Sequence, residues 1–314
     1  MTRGLRHFVL LAALVALPAA AVLAESRLEK TLKLEPGGSF RLETSHGSVT
    51  VSGKAGADVN IVVTSRRDLD DILSIQFDEG AHSARVTARS KHHGWFGDDG
   101  GRVHWEIQVP AETALDVHTS GGGIQIEGIR AASKLDTSGG GITVRDLTGN
   151  LEADTSGGPI RLSDIRGRMR VQTSGGGIHG SNLDGSLSAD TSGGSIELDR
   201  VAGDVHASSS GGGIQISEAG GRVDAETSGG GIDASFAKGN GKGGTLRTSG
   251  GGIEVAIDPE VGFEIDAEGS YVKTDVPVRV VGEISRHSLR GSLGKGGETL
   301  RLHTSGGGVR IKAL

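Results

Sequence analysis

The sequence predicts an all-β fold, a single-stranded parallel β-solenoid with a repeat of about 18 residues in each coil. Three observations predict it. A glycine-rich motif recurs at a constant interval, short apolar alternations lie on both sides of it, and 55 of the 314 residues are glycine. The glycines do not occupy every third position and prolines number only 6, which excludes a collagen helix. Cysteine is absent, which excludes disulfides, zinc–thiolate sites and thiol nucleophiles.

The repeat begins with the motif TSGGGI or a close variant. Seven copies follow one another at one constant spacing, beginning at Thr119, Thr137, Thr155, Thr173, Thr191, Ser209 and Thr227. Another begins after a slightly longer interval at Thr248, the copy TSGGGV begins at Thr304, and a degenerate copy, TSHGSV, begins at Thr44. Six identical intervals exclude a disordered Gly/Ser-rich chain and indicate stacked coils.

Each repeat unit keeps its apolar residues at fixed positions. With the Thr of the motif as position 1, positions 6, 8, 11, 15 and 17 are mostly apolar. The pairs 6/8 and 15/17 alternate with polar residues, as strands with one buried face do. The glycines predict corners, where φ is often positive or a side chain would meet the next coil. Position 1 of each unit follows positions 15 and 17 at the two-residue spacing of a strand, so we expect the motif Thr to face inward as they do. Its hydroxyl would then bond to the hydroxyls of the Thr column or to the corner backbone. The crossover rule favours a right-handed coil.

Residues 1–24 predict an export signal. Arg3 and Arg6 precede an apolar stretch from Phe8 to Leu23, and small residues lead to a cleavage site after Ala24. The apolar run is short for a membrane span, which favours a cleaved signal over an uncleaved anchor. Removal of the two arginines leaves 31 basic against 39 acidic residues. This balance argues against nucleic acid as a partner, and no later segment predicts a transmembrane span.

The remaining chain divides into three parts. Residues 25–118 predict irregular solenoid coils with a protruding loop at 91–101, and the stretches at 48–51 and 59–63 suggest one irregular coil. Residues 119–252 form the regular repeat, and residues 253–314 predict C-terminal coils or a cap. Less regular terminal coils are usual in repeat proteins.

The TSGGGI coils, GSVTVSG at Gly47 to Gly53, SLGKGGETLRLHTSGGGVRI at the C-terminus and the export signal together resemble the bacterial putative-adhesin family. That family is a domain-of-unknown-function family, and the resemblance covers nearly the whole mature chain. It implies a β-solenoid fold and a place in the cell envelope. It offers no catalytic motif to transfer.

Several motifs suggest chemistry that their context does not support. DTSG at Asp136, Asp154 and Asp190 matches an aspartic-protease turn, but these copies are consecutive coils rather than paired lobes. GNGKGG at 239–244 lacks a strand-to-helix context, so a flexible corner insertion is favoured over dinucleotide binding. Position 18 is acidic in several coils, including those of Asp136, Asp154 and Asp190. We interpret these carboxylates as solvated surface groups, and calcium binding is the weaker alternative. One Thr in each coil, facing inward, does not make an ice-binding surface.

The loop at 91–101 is the candidate binding loop. It contains the metal-capable residues His92, His93, Asp98 and Asp99 and the aromatic residues Trp95 and Phe96. Exposed aromatics would suit a glycan, a lipid surface or a protein partner. Alternatively, the two aromatics fold back and cap an open solenoid edge.

These observations predict a non-enzymatic, exported cell-envelope protein, an adhesin-like interaction module or structural scaffold. We predict no catalytic, cofactor-binding or metal site, and we expect an envelope component, a glycan or a protein as partner. Localisation is expected in the periplasm, at the cell surface or in the medium. Two alternatives remain: a carbohydrate-active β-helix enzyme, which would need carboxylates in an open groove, and an envelope-stress or regulatory binding protein.

Overall fold

The computed structural model describes residues 26–91, 103–280 and 285–314, which form two long β-sheets and one short helix. In chain order the elements are β1 (Ser26–Lys33), β2 (Ser39–Thr44), β3 (Ser48–Lys54), β4 (Asp58–Ser65), α1 (Leu69–Ile72), β5 (Leu73–Glu79), β6 (Ser83–Ser90), β7 (His104–Pro110), β8 (Ala114–Thr119), β9 (Ile124–Ile129), β10 (Ser133–Thr137), β11 (Ile142–Thr148), β12 (Leu151–Thr155), β13 (Ile160–Arg166), β14 (Met169–Thr173), β15 (Ile178–Asp184), β16 (Leu187–Thr191), β17 (Ile196–Val201), β18 (Val205–Ser209), β19 (Ile214–Ala219), β20 (Val223–Thr227), β21 (Ile232–Phe236), β22 (Gly244–Thr248), β23 (Ile253–Ile257), β24 (Phe263–Glu268), β25 (Val272–Thr274), β26 (Val278–Val280), β27 (Ser288–Leu293), β28 (Thr299–Thr304) and β29 (Val309–Ala313).

Each regular coil contributes one strand to each sheet. The strands that follow the motif, from β9 to β23 in odd numbers, lie in the first sheet, and the strands that end in the motif Thr or Ser lie in the second. Equivalent residues of neighbouring coils are direct partners in parallel register, as Thr137 is with Thr155 and Ile142 with Ile160. The predicted parallel β-solenoid, with one sequence repeat in each coil, is therefore confirmed, and its right-handedness stays a prediction.

The interior between the two sheets is filled by side chains. Positions 6, 8 and 11 of one sheet and positions 15 and 17 of the other are buried, as in the coil containing Ile178, Leu183, Leu187 and Ala189. In strands without any interruption, positions 8 and 11 would point to opposite faces. A left-handed residue at position 10 reverses the alternation, for example Asp164 with φ 58°, so that Ile165 also faces inward.

The motif Thr lies buried at the corner and bonds to backbone. Thr173 Oγ1 donates to the Gly158 carbonyl of the preceding coil at 2.9 Å and accepts from the Gly176 amide at 3.2 Å. Ser209 makes the same two bonds, at 2.9 and 3.0 Å. Of the two bonding modes expected for this column, the bonds to corner backbone are therefore the ones that form.

The three glycines of the motif are not equivalent. At position 4 an added Cβ would lie 2.1 Å from the Gly158 oxygen in the case of Gly176. At position 5 the nearest atom to a Cβ on Gly177 is 3.1 Å away, and other coils carry Pro159 and Ser195 there. Position 4 therefore needs glycine because the coils approach closely, and the backbone of Gly176 is not in the left-handed region.

The outlying motif copies join the regular stack directly. Thr44 pairs with Thr119 and Thr248 pairs with Thr304, although long stretches of chain separate the partners. The intervening segments fold over the two ends of the stack and include antiparallel pairs, β5 with β6 and β24 with β27. Such strands cover sheet edges that would otherwise offer unpaired backbone groups to another chain.

Two local expectations differ from the structure. Residues 48–63 do not form one irregular coil, because β3 and β4 lie in the same sheet and β4 runs antiparallel to β7. The insertion at 239–244 is not a loosely held corner, because the buried amide of Asn240 donates to the Ala219 and Gly221 carbonyls at 2.6 and 2.9 Å. Asn240 Oδ1 also accepts from the Lys242 amide, which fixes the insertion to the stack.

Candidate functional site

The outer face of the first sheet carries the candidate site. Strand alternation buries positions 6 and 8 and turns positions 7 and 9 to the surface, where neighbouring coils place them side by side. Gln215, Asp233 and Glu254 are successive register partners in this outward column. Ligands that bind here would contact several coils at once.

One groove on this face ends at an aromatic ring, and we call it the tyrosine groove. It has a volume of about 500 Å³. Its lining consists of glycine backbone from successive corners, outward polar side chains and Tyr271: Ser195, Ile196, Glu197, Gly213, Ile214, Gln215, Gly231, Ile232, Asp233, Gly252, Ile253, Glu254, Tyr271, Gly308 and Arg310.

Tyr271 packs across the last corner. A Cβ built on Gly308 would lie 2.2 to 2.5 Å from three ring atoms, so the ring fits only because that residue is glycine. The Tyr271 carbonyl accepts from the Val309 amide at 2.8 Å, which holds this segment on the last coil. The side chain remains 41% exposed, and Lys273 Nζ lies 5.3 Å from the ring centroid. Large apolar or aromatic side chains this exposed are scarce among the described residues, which makes the ring a distinctive surface feature.

The polar side of the tyrosine groove contains both paired and unpaired groups. Glu254 is paired with Lys312, and Glu197 Oε2 lies 3.1 Å from His179 Nδ1. The side chains of Gln215 and Asp233 have no hydrogen bond or ion pair with any residue that the structure describes. Desolvation raises the pKa of Asp233, and the neighbouring Glu254 raises it further, whereas Lys312 lowers it. Asp233 is therefore an exposed carboxylate that has no protein donor among the described residues.

A second groove of about 520 Å³ adjoins the first, and we call it the serine groove. Glu197 and Gln215 line both grooves, so together they form one trough along the sheet. Ser163, Ser181 and Ser217 line the serine groove at position 9, and Arg145 and Arg161 stand at its other end. The trough thus changes from basic to acidic side chains toward Tyr271.

The outer face of the second sheet has a different character. In its position 16 column, Lys134, Glu152 and Arg170 alternate in charge, and Lys134 Nζ lies 3.2 Å from Glu152 Oε1. Asp136 and Asp154 of the DTSG motifs are direct partners in the next column. Desolvation raises the pKa of Asp154, with smaller contributions from Glu152 and Asp136. Within 26–91, 103–280 and 285–314, no group of three or more His, Asp or Glu side chains is placed to hold a metal ion.

The sequence-predicted binding loop stays a prediction. His92, His93, Trp95, Phe96, Asp98 and Asp99 lie outside the described residues, as do the signal segment and Ala24. Among the residues that are described, no helix is long and apolar enough to cross a membrane.

Sequence reasoning missed the trough and its aromatic end. Tyr271 is the single tyrosine of the chain, and that rarity was a usable signal. Its contact with Gly308 was not predictable, because a long irregular segment separates the two along the chain. The outward direction of Gln215 and Asp233 does follow from strand alternation.

Some of the solved structures to which the chain is similar are described as adhesins. The chain is similar to a "putative cell adhesion protein" from Clostridium sporogenes, with 13% identity, TM-score 0.25, and coverage of 92% of this chain and 100% of the other. It is also similar to a "putative adhesin" from Bacteroides fragilis, with 10% identity, TM-score 0.35, and coverage of 92% and 97%. A "putative lipid binding protein" from Parabacteroides distasonis has 12% identity, TM-score 0.40, and coverage of 92% and 97%. No protein-family model and no curated protein sequence matches the chain.

Proposed function

We propose that this chain is an exported, non-enzymatic binding protein of the cell envelope, adhesin-like, which holds its partner on the outer trough of the first sheet. The trough carries this proposal, because it spans several coils and joins an exposed aromatic ring to unpaired polar groups. The filled interior supports it as well, since a solenoid packed with side chains offers binding area on its outside.

A rigid stack suits this task. Parallel ladders and the buried Thr bonds fix each coil on the next, so the trough is formed before a ligand arrives. Preorganisation of this kind lowers the entropic cost of binding. Export is proposed from residues 1–24, and the −8 charge of the mature chain (31 basic against 39 acidic residues) suits a soluble or peripherally attached product.

One observation favours the alternative of a carbohydrate-active enzyme. Asp233, whose pKa is raised, lies beside the carboxylate of Glu254, and glycosidases use a pair of carboxyl groups. These two side chains, however, are neighbours on one sheet face, so both would approach a ligand from the same side. Glycosidase carboxylates flank the bond that is cleaved. The geometry therefore suits binding better than hydrolysis.

To test this proposal, the full chain is expressed in a bacterial host, and its processing and its binding to cell envelopes are measured. Mass spectrometry of the exported product should show a chain that begins after Ala24. The purified product should then co-sediment with isolated cell envelopes in a saturable manner, and it should leave envelope polysaccharides at their original length. Retention of uncleaved chain in the cytosol, envelope binding that never saturates, or steady release of shortened saccharides would refute the proposal.

A further inference from the structure

We propose that the tyrosine groove binds a neutral oligosaccharide chain, with the ring of Tyr271 as a stacking platform and Gln215 and Asp233 as hydrogen-bonding partners of its hydroxyl groups. This inference rests on the proposed binding function and names the ligand class of that site. Sugar rings present apolar C–H faces and polar edges. A site for them therefore needs an aromatic surface next to unpaired polar groups.

The floor of the tyrosine groove is long enough for an extended ligand. Gly213, Gly231 and Gly252 follow one another at position 5, between Ser195 at one end and Tyr271 over Gly308 at the other. Four coil steps at about 4.8 Å each give a length of roughly 19 Å. Because the three glycines lack side chains, a flat ring can lie close to the corner backbone. That length accommodates a short saccharide chain.

The free polar groups of the groove match hydroxyl groups. The Asp233 carboxylate accepts hydrogen bonds, and the Gln215 amide both donates and accepts them. Neither group has a partner among the described residues. Hydroxyls of a bound sugar would supply donors to the Asp233 carboxylate, which is exposed on the sheet face.

The charge of the groove favours a neutral saccharide over an acidic one. Its lining includes the carboxylates of Glu197, Asp233 and Glu254, and the guanidinium in that lining, on Arg310, lies 3.5 Å from Asp275. The Lys312 ammonium is paired with Glu254. An acidic saccharide or an anionic lipid surface would bring negative charge against these carboxylates, and like charges in proximity repel.

The experiment is titration calorimetry of the purified full-length product with defined probes. Neutral probes are the β-1,4-linked tetrasaccharides of glucose and of N-acetylglucosamine. Tetragalacturonate serves as the acidic probe and phosphatidylglycerol vesicles as the lipid probe. We expect saturable binding of at least one neutral tetrasaccharide and weaker or no binding of the acidic and lipid probes.

Two variants locate the binding. Tyr271→Ala removes the platform and should weaken binding by about 10- to 30-fold, the loss expected when an aromatic anchor is truncated. Gly231→Ser places a side chain on the groove floor and should weaken binding by about tenfold or more. The coil that carries Ser195 at the same position shows that this change is compatible with the fold. Gly123→Ser is the matched control, since it makes the same change six coils away and should leave the affinity unaltered.

The results separate this inference from the proposed function. Binding that is lost in Tyr271→Ala and Gly231→Ser, but kept in Gly123→Ser, supports the assignment. Failure of both neutral tetrasaccharides to bind overturns it, as does binding that Gly231→Ser leaves unchanged or a preference for the acidic or lipid probe. In each of those cases, saturable binding to isolated envelopes would leave the proposed function standing. Loss of envelope binding itself would refute the proposed function.

Discussion

Replacement of Thr173 by Val tests the claim that the buried Thr column holds one coil on the next. The side chain is 1% exposed, and its hydroxyl donates to the carbonyl of Gly158 and accepts from the amide of Gly176. Val has nearly the same shape but can make neither bond. Both backbone groups would then be left without this partner at a closed corner.

The expected cost follows from these two bonds. Leaving buried hydrogen-bonding groups unsatisfied costs about 1–3 kcal/mol. The new methyl group would also lie near the Gly158 oxygen, where the hydroxyl now stands at 2.9 Å. Thr173→Ser is the matched control, because it keeps the hydroxyl and removes only one methyl group, worth about 0.8 kcal/mol. The chain itself uses Ser at the equivalent Ser209 with both bonds intact.

Thermal unfolding and amide hydrogen exchange measure the effect at two levels. Each kcal/mol should lower Tm by roughly 2–4 °C in a chain of this size. Stacked repeats can unfold in parts, so exchange at the Gly176 amide gives the local reading. That amide should lose protection in Thr173→Val and keep it in Thr173→Ser. A Val variant as stable as the Ser variant, with Gly176 still protected, would refute the role assigned to the hydroxyl.

Three further predictions concern single positions of the stack. Gly176→Ala places a Cβ 2.1 Å from the Gly158 oxygen of the preceding coil and should cost roughly 3 kcal/mol or more, whereas Gly177→Ala should cost less than about 1 kcal/mol. Equal losses in denaturant unfolding would contradict the difference between motif positions 4 and 5. Ser133→Ala removes a buried hydroxyl that has no hydrogen-bond partner among the described residues, so it should stabilise the chain by about 1 kcal/mol in denaturant unfolding. An unchanged free energy of unfolding would contradict this reasoning. Asp154→Asn removes one of two facing carboxylates and should stabilise the folded chain by about 0.5 kcal/mol at pH 7. Asp190 lies between Gln172 and Ser208, so Asp190→Asn should have little effect on stability.

The pH dependence of the Asp154 effect has a definite sign. Its pKa in the folded chain is raised above the ordinary 3.8, so the folded chain binds a proton more readily than the unfolded chain. Stability attributable to this group therefore falls as pH rises from 3.8 through the raised value. The gain from Asp154→Asn should be full at neutral pH and vanish below about pH 3.8. A gain that grows on acidification would contradict this assignment.

Much of the regular stack could be predicted from its sequence. The constant interval between motifs indicated the coil, and the apolar positions indicated the buried columns, including the inward Thr. What the interval did not reveal was why position 11 faces inward, which depends on left-handed residues such as Asp164 and Asn182. Asp and Asn tolerate that conformation better than most residues, but their presence alone does not predict it.

The candidate site was less accessible to such reasoning. The sequence drew attention to the loop at 91–101 because of Trp95 and Phe96, and that loop remains a prediction. The tyrosine groove instead depends on a ring brought onto the last corner by an irregular segment. No local pattern places Tyr271 over Gly308, since the contact joins two parts of the chain that share no repeat.

The sequence by itself therefore determined the coil, the direction of most side chains in its strands and the need for small residues at the corners. These properties depend on local alternation and on stacking identical units, and both are visible as periodicity. Only the tertiary structure decided which distant segments meet. It places Thr44 on Thr119 and Thr248 on Thr304, and it sets Tyr271 beside the column of Gln215 and Asp233. The physical reason is that contacts between non-repeating segments depend on how long excursions pack against the ends of the stack, and periodicity carries no information about that packing.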